Sequence, residues 1–239
     1  MSKADRRQIL SRVAAGTITP EDAASQLDAS AEDQENGEPR IRRVQVIKRL
    51  GAAEIIGDAS IRDAVAEGLH RARIEGDTMI IEGQMREEWG SFVFGTPRNV
   101  GPDRLIVRIN PSLRLELQIQ AGNCRVSGVE GPIRADVQAS SATFDGFSKP
   151  LDLTVQASSV RATGRLDEGD SRIACDAGSV NLHLERGSSV RLKARSQMGK
   201  VSLPGAAGAG GAQDVTLGDG TGSLLIETSM GSVKVTADP

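Results

Sequence analysis

The sequence predicts a mainly β chain: a β-solenoid with coils of about 18–21 residues, preceded by a small α-helical hairpin. Three observations carry that prediction. A short phrase recurs six times: AGNCRV at 121–126, ASSATF at 139–144, ASSVRA at 157–162, AGSVNL at 177–182, MGKVSL at 198–203 and MGSVKV at 230–235. Strict apolar/polar alternation runs into each phrase, the period of a half-buried strand. The first 28 residues carry apolar positions at helical spacing instead. Self-similarity at about 20 residues is the mark of repeats that cannot bury their own apolar face and stack on neighbours.

Residues 1–28 read as the hairpin. Ile9, Leu10 and Val13 share one helical face, and Gly16 stands where that helix would end. Thr19-Pro20-Glu21-Asp22 supplies an N-cap, a first-turn proline and early acids before Ala23, Ala24 and Leu27, with Ile18 clamped between the two helices. So small a hairpin needs a surface to dock on. A helix-turn-helix DNA reader is disfavoured: Lys3, Arg6, Arg7 and Arg12 make the first helix basic, but Glu21, Asp22 and Asp28 would turn acids toward phosphate, and no third helix follows. Residues 29–40, ASAEDQENGEPR, read as a flexible acidic linker.

The β-solenoid repeat domain is assigned to 41–239, with insertions at 84–101 and 204–222. Its first stretch, 41–110, has Val44 and Val46, Ile55 and Ile56, Ala64 and Ala66, Ile74, Met79 and Ile81, then Leu105, Val107 and Ile109, punctuated by glycines, and reads as opening coils. The first insertion brings Trp89, Phe92 and Phe94 within six residues, either as a cap on the β body or as an aromatic anchor for a partner. The Gly/Ala tract at 204–213 in the second reads as a mobile loop.

Within the repeats, counting back by twos gives Leu115, Leu117, Ile119; Ile133, Ala135, Val137; Leu151, Leu153, Val155; and their equivalents as inward residues. After each phrase's anchor the alternation slips by one, so that Cys124 and Val126, Val160 and Ala162, or Val180 and Leu182 point inward. Gly or Ser at 122, 140, 158, 178, 199 and 231 marks a tight corner there. Cys124 and Cys175 occupy aliphatic core slots, as small hydrophobes do. Outward residues are expected in columns, Glu116–Asp136–Thr154–Ala174 and Gln118–Gln138–Gln156–Asp176, the second a hydrogen-bonded amide ladder. The final coil, Leu224 to Val235, is expected at the end of the stack.

Composition narrows the function classes. Four Phe, one Trp and no Tyr leave a core of Val, Ile, Leu and Ala, and 29 basic against 32 acidic residues disfavour a general nucleic-acid or anionic-membrane binder. No apolar run approaches a membrane span, MSKADRRQIL lacks the apolar stretch of a secretion signal, and the expectation is a cytoplasmic protein without an integral membrane segment. His70 and His183 form no metal pair, so no metal, cofactor or catalytic residue is expected; His183 reads as a solvent-facing strand residue.

Two segments are familiar. RQILSRVAAGTITPEDAASQLDA resembles the SHOCT-like helical hairpin found at the start of many bacterial proteins, and the small-Gly/Ser-x-Val-x-Val phrase resembles the bacterial "putative adhesin" β-strand-repeat family. The resemblance implies a right-handed β-helix-like solenoid in a non-enzymatic protein, with some relatives linked to cell-envelope stress. The leading expectation is an intracellular scaffold or regulatory interaction module, with a protein partner or a second copy held through the hairpin; Ile9, Leu10, Val13, Ile18, Leu27, Trp89, Phe92 and Phe94 are the candidate interaction residues. A self-polymerising cytoskeletal-type filament and, less favoured, a β-helix polysaccharide-active enzyme are the alternatives.

Overall fold

The computed structural model describes residues 40–84, 104–205 and 212–238. The chain divides into two units at Arg40/Ile41, and the account below concerns the second. Fifteen strands follow one another: β1 (Arg43–Gly57), β2 (Ala64–Glu67), β3 (His70–Glu75), β4 (Thr78–Gly83), β5 (Arg104–Ile109), β6 (Arg114–Ser127), β7 (Ile133–Gln138), β8 (Ser140–Phe147), β9 (Leu151–Gly164), β10 (Asp170–Leu184), β11 (Val190–Ser196), β12 (Lys200–Ser202), β13 (Ala212–Leu217), β14 (Gly222–Thr228) and β15 (Ser232–Ala237).

The long strands β6, β9 and β10 each bend where the phrase begins, and β1 at Gly51 opposite Gly122, giving a leading and a trailing half. Leading halves stack in the order β3–β4–β1–β6–β7–β9–β10–β14–β11–β13, and trailing halves in the order β2–β5–β1–β6–β8–β9–β10–β15–β12. Most pairs are parallel and in register, so identical slots line up. One inward row of the leading half reads Val46, Leu117, Ala135, Leu153, Ile173, Ile226, Ala194. Its trailing counterpart reads Ile55, Val126, Phe144, Ala162, Leu182, Val235. Both rows belong to one apolar cluster. Phe144 stands beside the small Ala162, which leaves room for the ring, and is fully buried.

Close stacking explains the tiny residues at the bends. A Cβ on Gly122 would lie 1.9 Å from the Gly51 carbonyl oxygen, and one on Gly178 2.1 Å from that of Ser158, with φ of 139° and 135° respectively. Ala139 and Ala157 take φ of 45° and 49°, the left-handed region, at the equivalent corners. Serine repairs the interrupted backbone ladder. Ser158 Oγ accepts the Ser140 N–H at 3.0 Å and donates to the Gln156 carbonyl at 2.7 Å, while Ser140 Oγ donates to the Gln138 carbonyl at 2.6 Å. The expected corners and the buried cysteines are thus present in the form the phrase implied.

The predicted fold class is corrected. The described residues contain no helix, and the segment expected to form the hairpin, 1–28, lies outside them together with all of the 29–40 linker but Arg40. Nor do the strands form the expected solenoid of equivalent coils of about 18–21 residues, because such a stack would add strands in chain order. Here β14 and β15 insert between β10 and β11/β12, and β1 sits between β6 and the later β4 and β5. The strands β6, β7, β9 and β8 close on one another as a small four-strand barrel. The 41–110 stretch is likewise not a set of opening coils: β3 runs antiparallel to β4 and β2 to β5, and Ile74 on β3 is 54% exposed. Part of the 204–222 insertion is strand β13, antiparallel to β11, rather than loop. Alternation fixes which side chains point inward. It does not fix which strand lies alongside which.

The inserted position of β14 and β15 also removes the expected terminal coil. Among the described residues the outermost strands β3, β13 and β2 are antiparallel to their neighbours and β12 is parallel to β15. Strand β3 carries Arg71, Arg73 and Glu75 along its exposed edge, where charge discourages further strand addition.

Candidate functional site: two outer faces of one core

The outward side chains of the leading and trailing halves form two faces with different chemistry. On the leading face one row reads Glu116, Arg134, Asp152, Arg172. Opposite charges alternate from strand to strand. Arg43 reaches Glu116 at 3.3 Å, Arg134 reaches Asp152 at 3.8 Å, and Arg172 grips Glu227 with Nη2 at 2.7 Å and Nε at 3.2 Å. This corrects the expected columns. Glu116 lies beside Arg134, not Asp136, while the Asp136–Thr154–Ala174 steps stand as expected. Of the amide ladder only the Gln138–Gln156 step exists, because Gln118 lies beside Asp136 and the bulge between Cys175 and Ala177 sets Ala177 beside Gln156. A groove of about 540 Å³ opens at that bulge, with Gln156, Asp176, Arg195, Gln197 and Glu227 on its walls.

On the trailing face the row at the polar position of each phrase reads Arg125, Thr143, Arg161, Asn181, Lys234, Ser202. Cations alternate here with uncharged hydrogen-bonding groups. The row beside it, at the corner, reads Asn123, Ser141, Ser159, Ser179, Ser232, Lys200, and Ser159 Oγ meets Ser179 Oγ at 3.2 Å. Among the described residues Arg161, Lys234 and Lys200 make no ion pair, and all three are exposed. Asp145 is taken by Arg125 at 3.7 Å, and Glu54 by Arg104.

His183, expected as a plain solvent-facing residue, does face out from β10 but is held: Nδ1 lies 3.0 Å from Thr236 Oγ1, and Nε2 3.3 Å from Asp238 Oδ1. These contacts fasten the end of β15, as does the Asp238 N–H donating to the Leu184 carbonyl at 2.9 Å. The thiols are not poised for chemistry. Burial pushes Cys124 up to about 12, and burial raises Cys175 as well, so both stay protonated at neutral pH.

The candidate interaction residues Ile9, Leu10, Val13, Ile18, Leu27, Trp89, Phe92 and Phe94 all lie outside the described residues. Among the described residues no group of His, Cys, Asp and Glu could hold a metal, and no helix is long and apolar enough to cross a membrane. The trailing cation row was missed in the sequence, although its signal was there. Each member is the polar residue between the two inward residues that close a phrase, such as Arg125 between Cys124 and Val126.

No protein-family model matches the chain, and no curated protein matches it. Among solved structures, a crystal structure from Clostridium sporogenes described as a "putative cell adhesion protein" aligns with 84% of this chain and 96% of its own, at 13% identity and a TM-score of 0.45.

Proposed function

We propose that this chain is a non-enzymatic interaction scaffold, a stiff β body that holds recognition segments for a macromolecular partner. One observation carries the reading: the outward polar side chains stand in parallel rows on two faces of a closely stacked sheet, where they can meet an extended surface at many points. Backbones at the bends approach so closely that even a methyl group would collide, which favours a body that keeps its shape on binding. The segments outside the repeats, 1–40 and the aromatic 84–101, are the partner-holding parts in this reading. A rigid mount with a second contact site raises effective concentration without new contacts.

The test is affinity capture from the native cell with the full-length chain, a chain lacking residues 1–40, and Trp89→Ala. A specific protein partner lost in either altered chain is the expected result. The same partner set in all three would end the proposal that these segments carry recognition.

A further inference from the structure

We infer that the trailing face binds a linear acidic polysaccharide running across the strands, on the row Arg125, Arg161 and Lys234 and the hydroxyl row beside it. The inference is independent of residues 1–40 and 84–101. Its basis is the order of the row. With strands about 4.8 Å apart, a cation on every second strand recurs about every 9.6 Å, the scale of one disaccharide step. Thr143 and Asn181 fill the intervening places with a hydroxyl and an amide. Asn123, Ser141, Ser159, Ser179 and Ser232 run parallel to it, an array of donors and acceptors at the same repeat.

Charge complementarity selects the anion. Arg161 and Lys234 have no carboxylate partner among the described residues, whereas Asp145, Glu54 and Asp238 on this side are engaged by Arg125, Arg104 and His183. A carboxylate or sulfate brought between the rows would meet unopposed cations and gain charge-assisted hydrogen bonds. The hydroxyl row favours a sugar chain over a nucleic acid. Sequence-tolerant binding of single strands relies on aromatic platforms for base stacking, and the residues of these two rows are Ser, Thr, Asn, Lys and Arg. The leading face differs: Arg134 pairs with Asp152, Glu116 with Arg43, and Arg172 with Glu227.

The experiment is calorimetric titration of the full-length chain with a hyaluronan oligosaccharide, which carries one carboxylate per disaccharide, beside an uncharged chitin oligosaccharide and single-stranded DNA of equal charge. Hyaluronan should bind at low salt, weaken as salt rises, and bind more tightly than either control. The double variant Arg161→Ala/Lys234→Ala should lower its affinity about tenfold. Arg134→Ala/Arg172→Ala, on the leading face, should change it by less than about twofold. The inference is overturned by no hyaluronan binding at low salt, by chitin or DNA binding as tightly, or by equal losses from the two double variants. Circular dichroism of each variant confirms that the fold is kept.

Discussion

The two outer faces share one core and one set of strands, yet they use charge in opposite ways. On the leading face Glu116, Arg134, Asp152 and Arg172 alternate in sign, and each cation has an acid on a neighbouring strand. On the trailing face Arg125, Arg161 and Lys234 alternate with neutral groups; Arg125 pairs with Asp145, and among the described residues Arg161 and Lys234 make no ion pair. Exposed pairs within a face add little stability, so the contrast is not one of a strong side and a weak side. The contrast is confined to these rows: among the described residues Arg191, Lys193 and Arg195 on β11 of the leading face make no ion pair either.

If the faces are two sides of one cooperative body, damage to the core behind one should unfold both. Phe144→Ala, behind the trailing face, should cost about 3–5 kcal/mol, read as a lower urea midpoint with a single transition. Two separate transitions would split the body and undo the comparison. The bend that joins the faces comes next: Gly122→Ala drives a methyl against the Gly51 carbonyl at a φ of 139°, with a cost of about 1–3 kcal/mol in the same assay. A loss no larger than that of a surface substitution would mean that the stacked corners are looser than they stand.

Charge substitutions test the contrast itself. Arg172→Ala breaks the two-point contact with Glu227, and a double-mutant cycle with Glu227→Ala should return up to about 1 kcal/mol of coupling that shrinks with added salt. Zero coupling would leave the leading face no more self-paired than the trailing one. Arg161→Ala should be the smallest effect, within about 0.5 kcal/mol of the parent stability. A clear destabilisation there would show that Arg161 already has a structural task, and would take the row away from any ligand.

Much of this was legible in the chain. Alternation assigned Leu117, Leu153 and Val155 inward and Glu116, Gln118 and Asp136 outward, because successive side chains on a strand point to opposite faces. The slip at each phrase located the bends, and Cys124 and Cys175 were read as core from the slots they fill. The amide ladder failed for a local reason. Glu116 and Gln118 stand opposite Arg134 and Asp136, two residues short of the expected partners, and the bulge after Cys175 takes Asp176 out of line. The aromatic cluster at Trp89, Phe92 and Phe94 and the helical positions from Ile9 to Leu27 fall outside the described residues, so the contrast between the faces stands without them.

By itself the sequence determined the buried positions of the repeats, where the strands bend, and that each phrase offers two polar residues to the outside, since these follow from a period of two and from the size of the corner residue. Ile74, Met198 and Met230, by contrast, are exposed. Only the tertiary structure decided the neighbours. In chain order the polar slots read Arg125, Thr143, Arg161, Asn181, Ser202, Lys234; in space β15 lies between β10 and β12, so Lys234 precedes Ser202 and the cations fall on alternate strands. The reason is physical. Parallel strands of one alternation are interchangeable as far as their own residues can tell, and the choice among them is made by how the bends stack and by which long-range hydrogen bonds close.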